Sequence, residues 1–344
     1  MRHFGTYLGV VGLLGSLTEA SFAASPTPVD CDPITGCPAA VASSTYHSRA
    51  AYIFNNGHTT ATVVPSLGRV MQLSLTGKST FNWLWNNLSP NPKQTWKNWG
   101  GHKTWLAPQD NWEEWNGARW PPDAAWTKIV KSEVQSGGFL QTTSATSSTT
   151  GIRLIHQYGH DDTGKFFIRQ TAEKVSGQPV KMALWSVTQI APPEGIFFVL
   201  NKGDTVSDAQ KTLQGTATSI IDHRGNIACY YPSTTTSLKF GIQTSTPILA
   251  AFSRGQLFVL RAAPQTATYP DSETAHPKGF PIEIFDTGTT PNPYIELEFF
   301  SPLREAWMGS QWTFTVRWNV YQTKSTKINS PELWDEVAQI LNTG

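Results

Sequence analysis

The sequence is poor in charge. Only 15% of its 344 residues are Asp, Glu, Lys or Arg, and 26 basic against 25 acidic side chains leave a net charge of +1. That balance excludes recognition of nucleic acid through a basic surface and offers no strongly charged face to any other polyion. Cysteine is scarce as well, with three residues at 31, 37 and 229 and no metal-ligand spacing among them. No apolar run is long enough to span a bilayer. Also missing are a Gly-x-Ser-x-Gly elbow, a phosphate-cradling glycine loop and a His-Glu-x-x-His helix. Strand and helix do not alternate, which disfavours a Rossmann fold or a TIM barrel. His156 and His160 are four apart but fall on a strand and its turn, not on one helical face. Nothing in the residues calls for a cofactor or a metal.

Several features are present in quantity. Hydrophobic residues make up 39% of the chain, enough at this length to bury a large core and exclude wholesale disorder. The N-terminus carries Arg2 and His3, an uncharged apolar run over 7–17, and Ser21-Phe22-Ala23. This is the pattern of a cleaved secretory signal over 1–23, too short to span a membrane. It implies a secreted or periplasmic protein with no membrane insertion after cleavage. In that oxidising setting Cys31 and Cys37 can close a small loop, whereas Cys229 reads as a buried free thiol. Residues 24–48 are rich in Ser, Pro, Ala and Thr and read as a flexible tether to a domain over 49–344.

Period-two patterning dominates that domain. Met71, Leu73 and Leu75 alternate with Gln72 and Ser74. The clearest run is 311–322, where Trp312, Phe314, Val316, Trp318 and Val320 alternate with polar residues. Similar short runs recur from 51–55 to 293–300, joined by turn chemistry such as Ser136-Gly137-Gly138 and Arg254-Gly255. Helical periodicity is convincing only near the end, where Ser330 suits an N-cap and Pro331 a first helical position. The reading is an all-β, large antiparallel β-sandwich with a short C-terminal helix and no internal division.

One segment differs. Nine of the 14 tryptophans fall between 83 and 126, among Asn86, Asn87, Asn98, Gln109, Asn111 and several prolines. The tract shows neither period, and is expected to be a long ordered loop system. Indole faces beside amide groups suit a ligand with apolar C–H faces and many hydroxyls, that is, a mono- or oligosaccharide. Base stacking needs a positive groove that the tract lacks, so nucleic acid is not expected as a partner. Gly100 and Gly101 allow a tight backbone beside a ligand, and His102 and Lys103 follow at once. Further along, 292–300 reads as a strand with Tyr294, Glu296 and Glu298 on one face and Ile295, Leu297 and Phe299 on the other. A carboxylate there, near another acid and aromatics, can serve as a general base. In the strand over 181–190, Trp185, Val187 and Gln189 share one face.

These residues also carry a resemblance. Val64-Pro65-Ser66-Leu67-Gly68-Arg69-Val70 resembles the opening strand pair of galactose mutarotase-like (aldose 1-epimerase) proteins. Four further stretches are similar to an uncharacterised bacterial family usually placed beside them. They are Trp99-Gly100-Gly101-His102-Lys103-Thr104-Trp105-Leu106-Ala107-Pro108-Gln109, Trp120-Pro121-Pro122-Asp123, Trp185-Ser186-Val187-Thr188-Gln189, and Tyr294-Ile295-Glu296-Leu297-Glu298 with Ser301-Pro302-Leu303. The likeness covers about residues 50–322. It implies a supersandwich with a sugar-sized cleft on a concave face. Mutarotases protonate the ring oxygen with a His and remove the anomeric proton with a Glu on a late strand. The resemblance therefore implies Glu298, with Glu296 as its face-mate, as base and His102 as acid. Lys103 and Gln109 would meet hydroxyls, Trp105 and Trp185 would stack, and Gln189 and Arg153 would add polar contacts. The family's general-acid His lies on a central strand, where this chain has Trp185-Ser186-Val187-Thr188-Gln189. An epimerase and a non-catalytic recognition module are both open on this reading. A lyase or hydrolase ranks lower, because the two acids sit on one side of any ligand.

Overall fold

The computed structural model describes residues 40–77, 81–216, 221–232, 235–272 and 274–343. The signal segment 1–23, Cys31 and Cys37 lie outside them. Among the described residues the chain forms two antiparallel sheets of eleven and ten strands. The first runs Ala40–Tyr46, Arg49–Asn55, Thr59–Val64, Arg69–Leu75, His102–Ala107, Val180–Ile190, Ile295–Phe300, Ile282–Asp286, Leu238–Ile242 and Gln210–Gln214, with Arg304–Ala306 paired to Val180–Ile190. The second runs Ile221–Arg224, Ile227–Tyr230, Gly195–Val199, Ile248–Ser253, Gln256–Ala262, Gln311–Gln322, Phe166–Lys174, Ile152–His160, Phe139–Ser144 and Ile129–Gln135.

Alternation explains the layers. In Gln311–Gln322, Phe314, Val316, Trp318 and Val320 are buried as their spacing requires, and they meet Phe54, Leu106, Leu184 and Leu297 of the first sheet in one core. The outer face of the second sheet is covered by the helix Pro331–Asn342, which seats Leu333, Trp334, Val337 and Leu341 on Phe197, Ile248, Phe252 and Leu257. Ser330 Oγ accepts from the Leu333 amide at 3.2 Å, so the expected N-cap is formed. Cys229 is a buried free thiol whose pKa burial pushes up.

Two expectations change. The tether over 24–48 ends earlier, because Ala40–Tyr46 pairs along its whole length with Arg49–Asn55 around His47 and Ser48, which take φ of 46° and 64°. This edge strand sends Val41 toward the core and leaves much of its other surface to solvent, so its Ser- and Thr-rich composition looks like a linker. The tryptophan tract, in turn, is not loop throughout. His102–Ala107 is a central strand, paired to Val180–Ile190 and buried at every residue. A strand covered on both faces has no polar side to alternate, which is why the sequence pattern hid it.

Candidate active site

Register brings the charges together. Lys103 pairs with Val187, Val187 with Glu298 and Glu298 with Glu283, which sets these side chains in one row across four strands on the outer face of the first sheet. In the next row Gln189 pairs with Glu296, Glu296 with Phe285 and Phe285 with Lys239. Trp105 and Trp185 pair on the opposite flank. The face-sharing expected of Trp185, Val187 and Gln189, and of Glu296 and Glu298, is thus what the backbone produces.

Three carboxylates and two lysines meet there, all withdrawn from solvent. Lys103 Nζ contacts Glu296 Oε1 at 3.1 Å, and Gln189 Nε2 donates to the same oxygen at 2.7 Å. Lys239 Nζ stands 2.8 Å from Glu283 Oε2 and 2.9 Å from Glu298 Oε2, and Trp185 Nε1 donates to that Glu298 oxygen at 3.0 Å. Each ammonium also lies over an indole, Lys103 at 4.4 Å from the Trp105 centroid and Lys239 at 4.7 Å from that of Trp185. Glu298 is 0% exposed, and its Oε1 has no partner among the described residues.

The electrostatics follow from burial and from the excess acid. Burial pushes the Glu298 carboxyl up to about 7, against the pull of Lys239 and with a further push from Glu296. Glu283 is driven well above the usual carboxylate range by burial, despite Lys239 and with Asp271 and Glu298 adding repulsion. Burial would also raise Glu296, but Lys103 and the Gln189 amide hold it below its ordinary value. Burial lowers Lys103 to about 8, the Glu296 charge opposing. For Lys239 the sign reverses: burial would lower it, and two facing acids raise it above the usual lysine range. Glu283 and Glu298 therefore share one cation, and at neutral pH this pair is where a proton resides.

The indoles are mostly a lid. Trp83, Trp85, Trp105, Trp112, Trp115 and Trp126 are buried, Trp96 and Trp99 are half-buried, and only Trp120 is exposed, at 47%. The expected indole-paved cleft is thus largely a second core over the charged row. Trp105 meets Trp96, Trp112, Trp120 and Trp185 with ring centroids 5.3 to 6.0 Å apart, and Trp112 Nε1 donates to the Leu106 carbonyl at 2.8 Å. Gly100 and Gly101, at φ of 83° and 68°, press against the Trp85 and Val70 carbonyls, where a Cβ would overlap them. Their glycine requirement comes from backbone approach, not from a ligand.

A hollow of about 210 Å³ opens at the edge of the lid, lined among others by Gln109, Asp110, Arg119, Trp185, Lys239 and Asp271. Trp185 and Lys239 are the same groups that hold Glu298, so one wall of the hollow is the far side of the ion cluster. Gln109, Trp185 and Lys239 are brought together here, with Lys103, Trp105, Gln189, Glu296 and Glu298 behind them.

Two expected site residues are elsewhere. His102 faces the opposite way from Glu298: its Nδ1 lies 3.1 Å from Thr188 Oγ1 and its ring meets Trp318 edge-on in the layer between the sheets. Its neighbour in sequence, Lys103, points outward, so period two itself denies His102 the acid role beside Glu298. Burial also holds it well below the usual histidine range, hence neutral. Arg153 sits on the second sheet, where it binds Glu173 at 2.6 Å. Conversely, Lys239 and Glu283 were not singled out in sequence. The available signal was a lone charge in an apolar strand, as in Leu238-Lys239-Phe240 and Ile282-Glu283-Ile284.

Residues 51–321 match the family described as a domain of unknown function, DUF4380. The chain belongs to that family. No curated protein matches the sequence. Among solved structures, a galactose mutarotase-like protein from Lactobacillus casei is similar with a TM-score of 0.54 at 12% identity, over 79% of this chain and 100% of that one. A Klebsiella pneumoniae protein provisionally named an aldose 1-epimerase gives 0.51 at 10% identity, over 88% and 87%. A TPR-domain containing protein from Parabacteroides distasonis gives 0.53 at 12% identity over 85% of this chain, which spans only 54% of that protein. At such identities the likeness establishes the galactose mutarotase-like fold of this DUF4380 member and no more.

Proposed function

We propose that this DUF4380 chain is an exported carbohydrate-binding protein whose hollow beside Trp185 and Lys239 takes a single sugar unit. The observation that carries the reading is the buried ion cluster. Each buried ion costs several kcal/mol of desolvation, and apolar residues would cover a sheet face at least as well. Retaining three acids and two lysines directly behind a hollow lined by Gln109, Asp110 and Arg119 is the arrangement a polyol site requires. The volume, about 210 Å³, is below the usual range for drug-sized ligands, roughly 300–1,000 Å³, which favours one ring over a chain. Export rests on the N-terminal segment, a secreted or periplasmic address read from sequence.

A specific observation favours a second reading, an aldose epimerase. Glu298 has a free oxygen and a carboxyl near neutrality, the state of a general base. Lys103, on the same face and lowered to about 8, takes the acid role that His102 cannot. Calorimetric titration with a panel of hexoses, alongside polarimetry of their mutarotation, separates the two. Binding without turnover supports the recognition module. Turnover that falls at least about a hundredfold in Glu298→Gln supports the epimerase. Absence of both sinks the carbohydrate reading.

A further inference from the structure

A second cavity, of about 350 Å³, lies on the other side of the lid, with Arg69 in its floor, Trp96 and Trp99 in its wall and Lys97 and Lys128 at its rim. Trp96 connects it to the lid, touching Trp105 and Trp120 at 6.0 and 4.9 Å between centroids. Arg69 is the unusual member. It is 2% exposed, yet among the described residues no carboxylate comes within ion-pair distance of its guanidinium. Its Nη1 donates to the Gly100 carbonyl at 2.6 Å, while Nε has no partner. A guanidinium is the residue of choice for a buried oxyanion, because its planar fork offers several donors at once. Leaving one buried and half satisfied is costly unless something else completes it.

The surroundings indicate what that something is. Lys97 and Lys128 add two exposed cations, and Arg49 lies 4.8 Å from the Trp99 ring on its own account. Asp123, the acid in the lining, already accepts from the Ala125 amide at 2.8 Å as the cap of a short turn. The balance is three cations to one acid, on a chain whose overall charge is close to zero. Half-buried Trp96 and Trp99 supply flat apolar surface beside the charge.

We propose that this cavity is a binding site for an oxyanion, a carboxylate or phosphate, carried on a sugar ring that packs against Trp96 and Trp99, with Arg69 as the buried anchor. The sugar half of the proposal rests on the carbohydrate reading above, whereas the oxyanion half does not. The test is calorimetric titration of the full chain with glucuronate, glucose 6-phosphate, glucose and inorganic phosphate, at two salt concentrations. The acidic sugars should bind at least about tenfold tighter than glucose, and more weakly at high salt. Stronger binding of glucuronate or of the phosphate names the group. Arg69→Gln should remove this preference, and because that variant removes a buried group, the exposed double variant Lys97→Ala/Lys128→Ala is the second arm, expected to reduce it severalfold in a folded protein. Equal affinity for glucose and the acidic sugars, or indifference to the double variant, overturns the site. Inorganic phosphate held as tightly as glucose 6-phosphate keeps the oxyanion half and overturns the sugar half, while leaving the hollow beside Trp185 to be judged on neutral hexoses.

Discussion

The two sheets each have an outer face to cover, and the chain covers them with opposite chemistry. On the second sheet the helix Pro331–Asn342 lays Leu333, Trp334 and Val337 on apolar strand residues, and nothing charged is enclosed between them. On the first sheet a lid of indoles closes over Glu283, Glu296, Glu298, Lys103 and Lys239. The helix shows that an ordinary apolar cover is within reach of this fold. The charged floor is therefore a departure from what stability alone favours, and departures of that kind gather at functional sites.

The sharpest way to break the comparison is to remove one charge from each side of its balance. Lys239→Met leaves Glu283 and Glu298 facing each other without their shared cation, and should cost about 3–5 kcal/mol in a denaturant titration. Combining it with Glu283→Leu and Glu298→Gln should recover most of that loss, because a neutral row no longer needs a counter-ion. No recovery would mean that packing geometry, not charge, holds the face. On the helix side, Leu333→Ala removes a fully buried side chain and should cost about 2–5 kcal/mol by the same assay. That loss should not vary between pH 5 and 7, since no acid titrates beneath the helix.

The charged face should respond to pH. Glu298 is raised in the folded chain, so the folded state binds its proton more tightly than the unfolded state does. Stability from this group is present below the ordinary carboxylate pKa and is lost as pH climbs through about 7. Wild type should therefore weaken between about pH 4.5 and 7, and Glu298→Gln should flatten that slope; a slope unchanged in the variant would put the proton elsewhere. The smallest effect belongs to the helix cap, where Ser330→Ala should cost about 1 kcal/mol at any pH.

Much of this site was legible in advance because strand parity is local. Alternation alone put Glu296 and Glu298 on one face and Trp185 with Gln189 on one face, and the register then joined them. What stayed hidden was non-local or doubly buried. His102–Ala107 has no polar side, so neither its strand nor the outward direction of Lys103 was visible. Lys239 and Glu283 meet only through the pairing of Leu238–Ile242 with Ile282–Asp286, a relation that periodicity within either segment does not contain. The tryptophans were visible at once, but their number said nothing of whether they face water, and most of them face one another. Ala40–Tyr46 was missed for the converse reason, since a Ser-rich edge strand is held by backbone pairing and not by its side chains.

The central claim, that the charged floor serves a ligand and the helix-covered face does not, can be read from two indole N–H resonances during titration with hexoses. The Trp185 indole donates to Glu298 at the wall of the hollow, while Trp334 lies under the helix on the other sheet. The account predicts that a binding hexose shifts the Trp185 resonance in a saturable way and leaves Trp334 in place. A Trp185 signal that stays fixed at saturating sugar, or moves no more than that of Trp334, would contradict it.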